Sequence, residues 1–185
     1  VLNPLTGREK EHAIEPAKEK KKVLIAGGGC AGMEAAIVAA KRGHDVELYE
    51  KDDSLGGQFY IAAIPPAKGE ITNFINWQKR KIKEYGVKVH LNSSITEEIV
   101  EKENPDVVII ATGSAPIIPD IPGIKKDNVV TAHEVLLEKV EVGNNVIIIG
   151  GGLIGSETAN YLASRGIGVT IVEQLNGLAL DAEAY

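Results

Sequence analysis

Regular patterning in the chain opens at a short apolar run, Val23 to Ala26, which breaks off at Gly27, Gly28 and Gly29. An alanine-rich stretch follows, Ala31 to Ala40, and stops at Arg42 and Gly43. That order predicts a strand, a tight turn, a helix and a glycine stop. Val46 to Glu50 then alternates as a second strand. From Glu70 to Tyr85 the apolar residues Ile71, Phe74, Ile75, Ile82 and Tyr85 keep helical spacing, with Gln78 as a polar exception, and an amphipathic helix follows. Val87 to Leu91 reads as a strand. Val107 to Ala111, entered through Asn104, Pro105 and Asp106, is uniformly apolar and is expected to be a fully buried strand. Pro116, Pro119 and Pro122 punctuate an extended connector. Beyond it Thr131 is placed to cap a short helix, with Glu134 completing a capping box.

The opening pattern then returns. Val146 to Ile149 reads as a strand, Gly150 to Gly152 as the turn, Leu153 to Arg165 as the helix and Val169 to Glu173 as the next strand. Gly27 and Gly150, Arg42-Gly43 and Arg165-Gly166, and Glu50 and Glu173 are each 123 residues apart, so two units solve one physical problem. The expected architecture is α/β: two Rossmann-like units, three-layered with a parallel sheet, both incomplete in this chain. Residues 1–21 form a polar linker from an upstream domain, 22–115 the first unit, 116–144 the connector and 145–185 the start of the second unit. A chain that begins at Val1 and ends at Tyr185 just after a strand and turn reads as an excerpt.

Gly27-x-Gly29-x-x-Gly32 and Gly150-x-Gly152-x-x-Gly155 each lie between a strand and a helix, the context in which this spacing is informative. The first glycine permits the turn, the second keeps a side chain away from a diphosphate, and the third lets helix and strand approach. A pyrophosphate then faces the helix N-terminus, whose unpaired N–H groups and dipole favour an anion. Glu50 and Glu173 each lie 23 residues after the first glycine of their unit, close to the roughly 20 expected of an acid that holds an adenosine ribose. A carboxylate there also repels a 2′-phosphate, by on the order of 1 kcal/mol in water at about 4 Å and by more in a less polar site. Glu173 therefore favours NADH over NADPH.

Composition narrows the function classes. With 185 residues, 44% of them apolar, the chain supports a buried core. A net charge of −6 without a basic cluster offers no footprint for nucleic acid or an anionic membrane. No apolar run of about 18 residues is present, and no signal peptide precedes the first strand, so a cytoplasmic setting is expected. Cys30 is the single cysteine, which excludes an internal disulfide or CxxC relay. His12, His90 and His133 have no metal-ligand spacing, and no metal site is expected. His44, on a turn, and Lys79, Arg80, Lys81 and Lys83, on the polar face of a helix, read as solvated, and Trp77 as packing.

The two fingerprints, Leu55-Gly56-Gly57-Gln58 after the first acid, and Ala111-Thr112-Gly113 closing an apolar strand together resemble the pyridine nucleotide-disulfide oxidoreductase-like flavoprotein reductases. Asn3-Pro4, Gly7-Arg8-Glu9, Ala39 to His44, Gly56 to Phe59 and Val142-Gly143-Asn144 make the chain similar to one branch of them. That branch is the NADH:flavin oxidoreductases related to 2,4-dienoyl-CoA reductase and 2-enoate reductase, in their C-terminal part. The resemblance implies FAD on the first fingerprint and NADH on the second, with FMN and a 4Fe-4S cluster in an upstream part built on a TIM barrel. It implies that Gly27, Gly29, Cys30, Ala31 and Gly32 line the FAD pyrophosphate, with Glu50 and Lys51 at its ribose and adenine end. Gly57 and Gln58 would flank the approach to the flavin, Ile95 would meet adenine through its backbone, and Ala111, Thr112 and Gly113 would pass beside the cofactor. Gly150, Gly152, Leu153, Ile154, Gly155, Glu157 and Glu173 form the corresponding NADH set. Cys30 stands where the family often has proline.

On this reading the chain is part of an NADH-dependent flavin oxidoreductase whose electrons pass to an enoyl- or dienoyl-type acceptor outside it. No side chain here has to act as acid or base, because hydride transfer depends on stacking nicotinamide against flavin. Two other readings stay open: a module holding an ADP-like nucleotide as a structural ligand, and a reductase serving a protein acceptor such as ferredoxin. The fragment alone is expected to be inactive, and its uncovered faces invite self-association.

Overall fold

The computed structural model describes residues 6–182; Asn3 and Pro4, which contribute to the resemblance, lie outside them. The chain divides into two compact units, one made of the described residues up to Phe59 with Asn73–Gly113, the other of Tyr60–Thr72 with the residues from Ser114 onward.

In the first, β1 (Lys22–Ala26) runs through the glycine turn into α1 (Cys30–Lys41) and back to β2 (Asp45–Tyr49). Then come α2 (Gly57–Ala62) and α3 (Gly69–Glu84), of which residues 60–62 and 69–72 belong to the second unit, and β3 (Lys88–His90), α4 (Glu97–Glu103) and β4 (Val107–Ile110). The four strands form one sheet in the order β3-β2-β1-β4, every pair parallel. The alanines and Met33 of α1 are strong helix formers, and Gly43, at φ +93°, stops the helix in a conformation that favours glycine. Met33, Ala36 and Ile37 of α1 are buried, as are Leu24 and Ile25 of β1 and Val46 and Leu48 of β2. Each fully buried leucine, isoleucine or methionine contributes about 1.5–3 kcal/mol.

Gln78 explains its place on the apolar stripe of α3. Its amide is fully buried, and Nε2 donates to the Cys30 carbonyl and to Glu34 Oε2, both at 3.1 Å. The stripe thus carries one polar group that fastens α3 to the first turn of α1. On β2 the buried Glu47 points into another polar cluster, pairing with His90 Nε2 at 2.8 Å and accepting from Lys88 Nζ at 3.2 Å. The His90 ring also stacks on Tyr49, with centroids 4.3 Å apart.

One expectation needs correcting. The apolar strand β4 is not fully buried: Ile110 is 79% exposed and Val107 and Val108 more than a third. The strand order puts β4 at the end of the sheet, and among the described residues no strand flanks its outer edge. Lys22, expected as the first residue of the first unit, is tied into the sheet. Lys22 opens β1, and its ammonium donates to the Glu103 carbonyl at 2.8 Å and carboxylate at 2.7 Å. Upstream of it, Ala17 N–H donates to the Arg42 carbonyl at 2.9 Å and Arg42 Nε to the Glu15 carbonyl at 3.2 Å, so this stretch is strapped to the end of α1.

The second unit contains α5 (Ala132–Leu136), β5 (Asn145–Ile149), α6 (Leu153–Ala163) and β6 (Gly168–Val172), with β5 and β6 paired in parallel. Thr131 and Glu134 form the expected capping box. Val135, Leu136, Tyr161 and Leu162 make the core, with Ile61 and Ile64 packed against it. β5 begins 123 residues after β1, α6 after α1 and β6 after β2, so the repeat in sequence is a repeat in structure. Among the described residues no helix is long and apolar enough to cross a membrane.

Candidate dinucleotide-binding sites

Both glycine turns are built alike. Gly27 N–H donates to the Tyr49 carbonyl at 2.8 Å and Gly150 N–H to the Val172 carbonyl at 2.9 Å, so inter-strand bonding continues one residue past each strand before the chain swings into its helix. Gly27 sits at φ +107°, and a Cβ on it would overlap the Ala111 carbonyl. Gly32 and Gly155, in the first turns of α1 and α6, rest on the carbonyls of Gly27 and Gly150 with no room for a Cβ. These contacts are the physical reason for Gly27, Gly32 and Gly155, whereas at Gly150 a Cβ would meet nothing within 4 Å and it is the backbone, at φ +99°, that favours glycine.

The acids are fastened to the turns. Glu50 Oε2 accepts from Gly28 N–H at 2.6 Å and Oε1 from Asp52 N–H at 3.0 Å. Glu173 repeats the arrangement, with Oε2 accepting from Gly151 N–H at 2.6 Å and Oε1 from Leu175 N–H at 2.8 Å. Bonds from Leu175 and Gly151 hold the Glu173 pKa below the ordinary glutamate value. Sequence reasoning gave these carboxylates one task, the ribose; the structure adds a second, locking the middle glycine of the turn. An ionised carboxylate has about four lone-pair sites, which leaves acceptor capacity for sugar hydroxyls.

Around the first turn the structure gathers most of the residues expected there. Gly56 N–H donates to the Gly28 carbonyl at 2.9 Å, Gly56 bridges Gly29, and a Cβ on Gly57 would stand 3.1 Å from Gly29 Cα. Gln58 Nε2 lies beside Gly113, and Ala111 and Thr112 lie against Gly27. Cys30 and Ala31 open α1. Lys51 follows Glu50 on the surface. Ser93 N–H donates to the Glu50 carbonyl at 2.8 Å and Asn92 N–H to the Asp52 carbonyl at 2.9 Å, which carries the loop of Ile95 to the acid end. The space beyond Gly29 fits a diphosphate: a Cβ built there meets nothing within 4 Å, and Gly29 as N-cap offers no side chain to the leading N–H groups.

In the second unit Leu153 and Ile154 open α6 with exposed side chains. Glu157, within the second turn of α6, is held by an ion pair with Lys68. Lys68 escaped the sequence reading because it lies 89 residues from its partner on an irregular stretch. Asp181 escaped it too, although its carboxylate stands at the start of α6 and accepts from Leu153 N–H at 2.9 and 3.2 Å. Among the described residues no group of three or more His, Cys, Asp or Glu is placed to hold a metal ion.

Residues 21–184 match the family model described as pyridine nucleotide-disulphide oxidoreductase. The chain belongs to that family. This oxidoreductase chain is 48% identical over 188 residues to an NADH oxidase of Thermoanaerobacter brockii, covering 99% of the chain and 29% of the relative. It is 46% identical over 178 residues to a cinnamate reductase of Clostridium sporogenes, covering 96% and 26% respectively. Among solved structures, 2-naphthoyl-CoA reductase in complex with 2-naphthoyl-CoA superposes with a TM-score of 0.93 at 40% identity, over 97% of this chain and 27% of that one. The chain spans less than a third of the length of these relatives. All three carry names of redox enzymes, and the oxidoreductase class is the one the expectation named.

Proposed function

We propose that the chain is the dinucleotide-binding part of an NADH-dependent flavin oxidoreductase. Residues 22–115 hold FAD, 116–144 connect, and from 145 onward the second unit takes NADH. The observation that carries this reading is the matched pair of glycine turns, each locked to its own glutamate in the same geometry. When bound, FAD would supply a hydride acceptor for the reduced nicotinamide and a carrier for its electrons. The chain's own residues bind and orient. The Gly27 to Gly32 turn with Cys30 and Ala31 holds the FAD diphosphate, Glu50 its ribose, and Gly57, Gln58 and Gly113 the side nearer the flavin. Glu173 with the Gly150 to Gly155 turn holds the NADH half, and its charge disfavours NADPH.

Electrons leave for an acceptor bound outside this chain. Cinnamate and 2-naphthoyl-CoA, in the names of two relatives, are conjugated acid derivatives, which supports an enoyl- or dienoyl-type acceptor. FMN and a 4Fe-4S cluster upstream, in a cytoplasmic protein, complete the proposal.

The test is the set of ligands released by denaturing the full-length protein. FAD at about one per chain is the expected result. Adenine nucleotide without FAD would replace this reading with that of a structural nucleotide module.

A further inference from the structure

The repeat does not end at the two glutamates. Leu55 and Leu178 each seat a methyl group where a side chain on Gly28 or Gly151 would be. Ala179 N–H donates to the Gly151 carbonyl at 2.7 Å as Gly56 N–H donates to Gly28 at 2.9 Å. The 123-residue offset therefore still holds in the loops that follow the acids, and it pairs Gln58 with Asp181. At that pair the units part. The Gly29 face of the first turn is open, and its loop supplies a neutral amide. In the second, the Asp181 carboxylate spans Leu153 N–H with both oxygens, and one oxygen is 3.1 Å from where a Cβ on Gly152 would stand. An anion already sits where the helix N-terminus and the second glycine of the fingerprint would receive a diphosphate.

We infer that Asp181 is a gating residue of the second site, a resident carboxylate that the pyrophosphate of the incoming nicotinamide dinucleotide displaces. The inference rests on the reading of that turn as the NADH site. Two anions cannot share one N–H group at contact distance without strong repulsion, so the site binds only in the fraction of molecules whose carboxylate has swung out. Asp181 is exposed, so water takes over its hydrogen bonds and the brake is mild. A carboxylate at an exposed helix N-terminus corresponds to an effect of about two- to five-fold. The asymmetry suits the two ligands: the first turn keeps its nucleotide, and the second releases one in every cycle.

The test measures binding of ADP-ribose to the full-length flavoprotein by calorimetry, for the parent, Asp181→Asn and Asp181→Ala. ADP-ribose has the pyrophosphate and cannot reduce the flavin; adenosine, lacking phosphate, is the control. Both variants are expected to retain their flavin and to bind ADP-ribose about two- to five-fold more tightly, with adenosine unchanged. Unchanged or weaker ADP-ribose binding in both variants overturns the gate, as does equal tightening of adenosine. If ADP-ribose binds the parent but ignores Asp181, the gate alone fails. If it binds none of the three proteins, the assignment of the second site fails as well.

Discussion

Glu173 and Glu50 each bond a turn glycine, so replacing them probes two functions at once. Glu173→Gln keeps the shape and removes the charge, and the preference for NADH over NADPH in binding titrations is expected to fall by about five-fold or more. A preference that does not move would place the discrimination elsewhere. Steric packing governs Gly32, whose Cα rests on the Gly27 carbonyl. Gly32→Ala forces the turn and α1 apart and is expected to cost about 1–3 kcal/mol in denaturant unfolding, with loss of bound flavin. Spacing made these residues legible, because the demand for glycine and for an acid is local to one strand-turn-helix unit. Lys68 was not legible, since its partner lies 89 residues away with no periodicity to connect them; Asp181 is the counterpart of Gln58 in the 123-residue repeat, but its bond to Leu153, 28 residues back, has no local signal.

Among the elements, those with an apolar period were read within a residue or two of their ends, from β1 through α1, β2 and α3 to β5, α6 and β6. Those without one were missed. α2 begins at a glycine of positive φ and is six residues long, and α4, with the sequence EEIVEKE, carries no continuous apolar stripe. Its signal was Thr96, which caps it by accepting from Ile99 N–H at 3.4 Å. β4 was recognised as a strand but misjudged in burial, because an apolar run does not reveal whether a strand lies inside a sheet or at its edge. α5 shows local chemistry at its most readable, and Thr131→Ala is expected to destabilise the second unit by about 0.5–2 kcal/mol in thermal unfolding. A change below the lower bound would mean that core contacts of Val135 and Leu136 hold α5 without its cap.

For the molecule as a whole, the cluster on β2 is one contributor to acid stability, alongside Glu103, Glu134, Glu138 and Glu173, whose pKa values are also held down. Burial raises the Glu47 pKa, but hydrogen bonds from His90 and Lys88, with the charges of Lys88 and Lys22, outweigh it and leave the value below the ordinary one. A carboxylate with a depressed folded-state pKa stabilises fully above its unfolded value, about 4.3. It loses that contribution as pH falls through the lower folded value. Glu47→Gln is therefore expected to flatten the acid limb of a stability-versus-pH curve below about pH 4.3; an unchanged limb would show that other carboxylates set it. Exposed Ile110 on β4 and Ile147 and Ile149 on β5 leave apolar strand surface uncovered. The isolated 185-residue chain is accordingly expected to self-associate with rising concentration in sedimentation.

The central claim, that one turn holds FAD and the other delivers NADH to it, is tested most directly by mixing the full-length protein with NADH in the absence of oxygen while its bound FAD is followed. The account predicts bleaching of the flavin with at least one NAD⁺ formed per FAD reduced, the excess matching the electrons passed on to FMN and the 4Fe-4S cluster. FAD that stays oxidised in the presence of saturating NADH would contradict it.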